Sequence, residues 1–106
     1  MEFINRVEIQ GIVGSVRDMA IADTHCYRFS AVTEIAYTGR DGSSVIDCTW
    51  HNITAFTPRG VAWDWLAKGA VVHVQGRLRA SKYVSASGEE SRVVEILADS
   101  VEKVEG

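Results

Sequence analysis

The stretch Trp50-His51-Asn52-Ile53-Thr54-Ala55-Phe56 sets two aromatic rings, an amide and a hydroxyl at every second position. In a strand, alternate side chains point to opposite faces, so Trp50, Asn52, Thr54 and Phe56 share one face while His51, Ile53 and Ala55 share the other. Ile53 and Ala55 suit an apolar interior, which leaves the two rings outside. Rings spaced over a polar strand surface make a stacking platform. Every unpaired base has a π-face, and each stacked base contributes about 1–3 kcal/mol whatever its identity. The amide of Asn52 and the hydroxyl of Thr54 suit phosphate, sugar or base edges. The bland alternative is that the rings pack under a neighbouring hairpin or another subunit, the commoner fate of surface aromatics.

A second run, Gly76-Arg77-Leu78-Arg79-Ala80-Ser81-Lys82-Tyr83, weighs against that alternative. Arg77 and Arg79 share a face, Leu78 and Ala80 point the other way, and Lys82-Tyr83 follows. Cations interleaved with a ring are what a phosphate chain with stacked bases requires. Taken alone, the run is equally a charged strand edge protected from aggregation. Two aromatic and polar faces in one small chain favour the binding reading.

The elements that position these residues read as an all-β chain. Val7 to Val13 alternates as a strand, and Tyr27 to Thr33 is rich in β-branched and aromatic residues. Gly39 and Asp41-Gly42 mark a hairpin with its tip near Gly42, and the return strand runs from about Val45 to Phe56. Pro58 and Gly60 interrupt before Val61-Ala62-Trp63-Asp64-Trp65-Leu66-Ala67, which is predicted to be a helix of roughly two turns. Val61 and Trp65 stand at i and i+4, and Gly69 is placed to cap it. Ala70 to Arg79 and Arg92 to Ala98 complete the set, separated by a turn at Ser87-Gly88. Five strands with one short helix between the third and fourth is the layout of an OB-fold barrel. A β-sandwich fits less well, since it needs more strands at shorter spacing.

With 106 residues, 46% of them hydrophobic and 24% charged, the chain has room for one domain, taken as residues 1–106, with one core. Nowhere do 18 apolar residues run together, and no cleavable leader is recognisable in Met1 to Arg6. Cys26 and Cys48 are too few for a disulfide framework and suggest free thiols in a cytoplasmic protein. The net charge of −3 argues at first against a nucleic-acid partner. Distribution matters more than the sum: Arg77, Arg79 and Lys82 cluster, whereas Glu89, Glu90, Glu95, Asp99, Glu102 and Glu105 crowd the last quarter.

Several segments in order, Asn5-Arg6-Val7-Glu8-Ile9-Gln10-Gly11, Arg28-Phe29-Ser30, Thr49-Trp50-His51-Asn52-Ile53, Leu66-Ala67-Lys68-Gly69 and Gly76-Arg77-Leu78-Arg79, resemble the bacterial single-stranded DNA-binding protein family. The resemblance covers nearly the whole chain. It implies an OB fold, usually assembled as a homotetramer, around which single-stranded DNA wraps in replication, recombination and repair. It places stacking rings at Tyr37, Trp50, Phe56 and Tyr83, with tyrosine standing where the family commonly has tryptophan at the first and last. Basic contacts fall on Arg6, Arg77, Arg79, Lys82 and Arg59, and His51 matches a histidine at the subunit interface. The resemblance implies a bacterial, nucleoid-associated location. Family members usually continue into a flexible tail with an acidic tip that recruits partners, and the residues of this chain, ending at Gly106, give that role no support. The segment Asp18 to Asp23 departs from the family, so no contacts are assigned there.

No catalysis, cofactor or metal is expected. Cys48 and His51, three apart on a strand, project to opposite faces. Asp41 and Asp47 read as solvated acids of a hairpin, and no nucleophile elbow, phosphate loop or dinucleotide fingerprint occurs. Two alternatives stay open: a tail-less, dimeric primosomal replication restart protein, and an OB-fold module that uses Trp50 and Phe56 to bind another protein.

Overall fold

The computed structural model describes residues 1–105. Its five strands are β1 (Val7–Ile21), β2 (Thr24–Thr38), β3 (Ser44–Phe56), β4 (Val71–Val84) and β5 (Glu90–Lys103). They close into a barrel in the order β1-β2-β3-β5-β4. Every pairing is antiparallel except the seam between β3 and β5, where Ile53 meets Ile96 and Thr54 meets Leu97 in parallel. Closure leaves few free strand edges.

Alternation dictates the core. Val13 from β1, Tyr27, Phe29 and Ala31 from β2, Ile53 and Ala55 from β3, Val72 and Val74 from β4 and Ile96 from β5 all point inward and are buried. β1 could not line the barrel with one straight alternation, and its register against β2 shifts between Val13 and Val16. Such a bulge bends the strand and resets which side chains face out. The hairpin between β2 and β3 turns where expected: the Gly42 N–H donates to the Gly39 carbonyl, and Asp41 Oδ1 accepts from the backbone N–H and the hydroxyl of Ser43. Those bonds from Ser43 hold the Asp41 carboxyl below its ordinary pKa, fixing it as a turn acid.

The helix predicted between the third and fourth strands is absent among the described residues. Residues 57–70 instead form a run of tight turns, in which Val61, Leu66 and Ala70 each donate to the carbonyl three residues back. Trp63 and Trp65 both pack against the core beside buried Leu66. In a helix, residues two apart point to nearly opposite sides, so the two rings could not both reach the barrel. A two-turn helix also nucleates poorly without such packing. Gly69 does adopt the left-handed conformation expected of a cap, with φ 93°. Here it returns the chain to β1: its N–H donates to the Val13 carbonyl, and the Val13 N–H donates to Ala70.

Candidate nucleic-acid interface

The uninterrupted pairing of β2 with β3 places Arg28 opposite Thr54, Ser30 opposite Asn52 and Val32 opposite Trp50. On the other side of β2, Arg17 of β1 stands opposite Arg28. Across the parallel seam, Thr54 meets Leu97, and β5 in turn pairs Leu97 with Arg77, Glu95 with Arg79, Val93 with Ser81 and Ser91 with Tyr83. One outward face therefore runs over all five strands, carrying Arg17, Arg28, Ser30, Asn52, Phe56, Glu95, Arg77, Arg79 and Tyr83. Trp50 lies at its β3 end.

The rings on this face are open. Trp50 is 60%, Phe56 54% and Tyr83 53% exposed. Trp50 is nonetheless supported from below: a Cβ on Gly14 would come within 2.5 Å of the indole, so the absence of a side chain at that position lets the ring lie down on β1. Ser30 Oγ borders the same space and bonds to Ser15 Oγ at 3.0 Å.

Tyr37 is 52% exposed but stands apart from the other rings. It pairs with Val45, and strict alternation puts it on the opposite side of the β2–β3 ribbon from Trp50. Lys82, opposite Arg92, likewise belongs to the other side of the β4–β5 ribbon, and its Nζ lies 4.0 Å from Glu90.

The polar residues divide into free and engaged. Asn52 and Arg77 are exposed, with no ion pair to Arg77 among the described residues, and Arg6 is exposed just before β1, beside a hollow shared with Asp99. Arg59 Nε bonds to Asp23 Oδ2 at 2.8 Å in the loop after β3. Thr54 shares the face of Trp50 and Phe56 but is buried, and its hydroxyl donates to Glu95 Oε2 at 2.8 Å, so the hydroxyl expected to stand free between the rings is already engaged. Arg79 donates to Glu95 Oε1 through Nε and Nη2, and Ser81 donates to the same oxygen.

Glu95 is the residue that sequence reasoning missed. Its side chain is 11% exposed and sits at the centre of the face. Burial pushes its carboxyl up, but hydrogen bonds from Arg79, Thr54 and Ser81, together with the charge of Arg79, outweigh burial and hold it below the ordinary glutamate value of 4.5. His51 lies on the inner side of β3, half-buried, with a ring nitrogen 2.9 Å from Thr33 Oγ1.

Comparisons with known proteins agree with this architecture. The chain is 31% identical over 107 residues to a single-stranded DNA-binding protein of Neisseria meningitidis, a match covering 97% of this chain and 61% of the relative. It is equally 31% identical to one from Xanthomonas axonopodis, over 97% of this chain and 59% of the relative. The chain thus spans about three-fifths of the length of these curated relatives. Among solved structures, the fold matches a deletion mutant of the single-stranded DNA-binding protein from Thermus aquaticus with a TM-score of 0.80, at 21% identity over 97% of this chain and 51% of that one. It also matches a Plasmodium falciparum protein solved in complex with single-stranded DNA, with a TM-score of 0.75 at 21% identity, covering 99% of this chain and 98% of that one. The model of the single-strand binding protein family matches residues 4–104, and the chain belongs to that family.

Proposed function

We propose that this chain binds single-stranded DNA irrespective of sequence and catalyses nothing. The observation that carries the reading is the pair of exposed rings, Trp50, which lies over Gly14, and Phe56, on a face that also presents Tyr83 and Arg77, a cation with no ion-pair partner among the described residues. Stacked bases fall on Trp50, Phe56 and Tyr83, and Tyr37 takes a base only where the strand wraps round to the other side of the β2–β3 arm. Arg6, Asn52, Arg77, Lys82 and Arg59 meet the backbone, the last two by exchanging an exposed carboxylate partner for phosphate. Arg79 and Thr54 act mainly through Glu95. The relatives named as single-stranded DNA-binding proteins, and the neighbour solved with single-stranded DNA, support the same reading.

On this reading the chain acts as one OB-fold binding domain within a homotetramer that has His51 at a subunit contact. Its place is on exposed strands during replication, recombination and repair in the bacterial cytoplasm, at the nucleoid. Titration with dT oligomers, following tryptophan emission over a range of salt, tests the binding. Quenching with affinity that falls as salt rises is expected; no quenching, or affinity indifferent to salt, overturns the reading.

A further inference from the structure

Arg17 and Arg28 stand directly opposite each other on the antiparallel pair β1–β2, and both are exposed. Like charges in that position destabilise a sheet. Four other cations have acids within reach: Arg59 has Asp23, Arg79 has Glu95, Lys82, which faces Arg92, has Glu90, and Lys103 has Glu105. Among the described residues neither Arg17 nor Arg28 has an ion-pair partner. Asp18, next to Arg17 in the chain, is turned to His25 Nδ1 at 2.8 Å. Two unneutralised guanidinium groups are therefore held side by side at the edge of an open groove of about 320 Å³ that continues past Asn52 to Glu95.

The geometry points to Arg17 and Arg28 as a clamp for a backbone phosphate of the bound strand. This rests on the reading of the chain as a single-stranded DNA binder. A phosphodiester between two guanidinium forks removes their repulsion and accepts charge-assisted hydrogen bonds from both. The groove orients the strand as well. Glu95, which also lines the groove, is already neutralised by Arg79, so the sugar-phosphate chain is drawn to the two free guanidinium groups on the β1–β2 side and the bases are turned toward β3, where Trp50 and Phe56 offer their faces. Free cations at one side of the groove and a neutralised pair at the other make the face directional.

The test uses the full chain and a fluorescently labelled dT oligomer, with anisotropy read between about 50 and 200 mM salt. Replacing both arginines (Arg17→Gln with Arg28→Gln) is expected to weaken binding and to reduce the slope of log affinity against log salt by about 0.7, one phosphate contact on a single strand. Over that fourfold range of salt the gap from the wild type closes by about 2.6-fold. The same variant melts at or above the wild-type temperature, because a like-charge pair has been removed. The single change Arg28→Glu, which gives Arg17 a partner across the strands, melts higher still and binds more weakly than the double glutamine variant. A wild type that binds with a steep salt slope, beside a double variant whose slope is unchanged, overturns the clamp and leaves the binding function standing. A fall in melting temperature in both variants also overturns it, by making the arginines structural. A wild type that does not bind at all overturns both readings together.

Discussion

The molecule carries two groups of aromatic side chains that composition cannot tell apart. His25, Tyr27, Trp63 and Trp65 form a chain of ring contacts, with centroids 5.7, 5.4 and 6.0 Å apart, and the backbone N–H of Trp63 donates to the Tyr27 hydroxyl at 3.0 Å. These rings fasten residues 57–70 to the open end of the barrel, the task a short helix was expected to perform. Trp50, Phe56 and Tyr83 touch no ring partner within the described residues and face outward. The arginines divide in the same way, with Arg79 held by Glu95 while Arg17, Arg28 and Arg77 have no acid partner among the described residues. A side chain already satisfied within the fold stabilises it; one held in place but unsatisfied is available to a ligand.

The sharpest way to break this contrast is to truncate one member of each group. Replacing Trp50 and Tyr83 together with alanine is expected to weaken single-stranded DNA binding by about 2–6 kcal/mol, two stacked bases at once, with the melting temperature almost unmoved. Oligonucleotide titration beside thermal melting checks both halves. Trp63→Ala is expected to do the reverse. Its loss removes the ring stacked on Tyr27, though not the backbone N–H bond to the Tyr27 hydroxyl, and destabilises the fold by about 3 kcal/mol in denaturant unfolding, with affinity per folded molecule preserved. If the outer pair unfolds the chain, or if Trp63→Ala abolishes binding in protein that is still folded, the division between the two groups is wrong.

Much of this was legible in the sequence because it depends on local alternation. The face shared by Trp50, Asn52, Thr54 and Phe56, the inward Ile53 and Ala55, and the turn at Gly42 all follow from a period of two and a turn residue. What sequence could not give depends on registers between strands far apart in the chain. Thr54 is covered, and Arg79 captured, by Glu95, which reaches them from β5 across the seam. The Arg17–Arg28 pair was hidden by a weak turn signal. β1 and β2 join through Ala22-Asp23, with Ile21 paired to Thr24, and Ala22 takes φ 56° where Asn or Gly is usual. Reading that pair as a two-residue hairpin would have extended both strands and, counting back from the turn, set the two arginines opposite each other. The helix failed for a different reason: Val61 and Trp65 fit a helical spacing, while Trp63 and Trp65 together exclude one at a barrel surface.

The smallest expected effect sharpens the contrast between captured and free arginines. Glu95→Gln removes the charge that holds Arg79 without removing the shape. The Glu95 carboxyl is depressed in the folded chain, so its stabilising effect is fully present above the unfolded glutamate value near 4.5 and is lost as pH falls through that value toward the lower folded one. Wild-type protein should therefore lose stability below about pH 4.5 more steeply than the glutamine variant in urea unfolding across the acid range. At neutral pH the variant has one acid fewer in the groove and an Arg79 released toward the strand. Its affinity for dT oligomers should rise, with a salt slope steeper by about 0.7, one further phosphate contact. Identical acid slopes in the two proteins would mean that the network around Glu95 is not holding an ionised carboxylate. An unchanged salt slope would mean that Arg79 reaches phosphate whether or not Glu95 holds it, and the distinction between the two kinds of arginine on this face would fall.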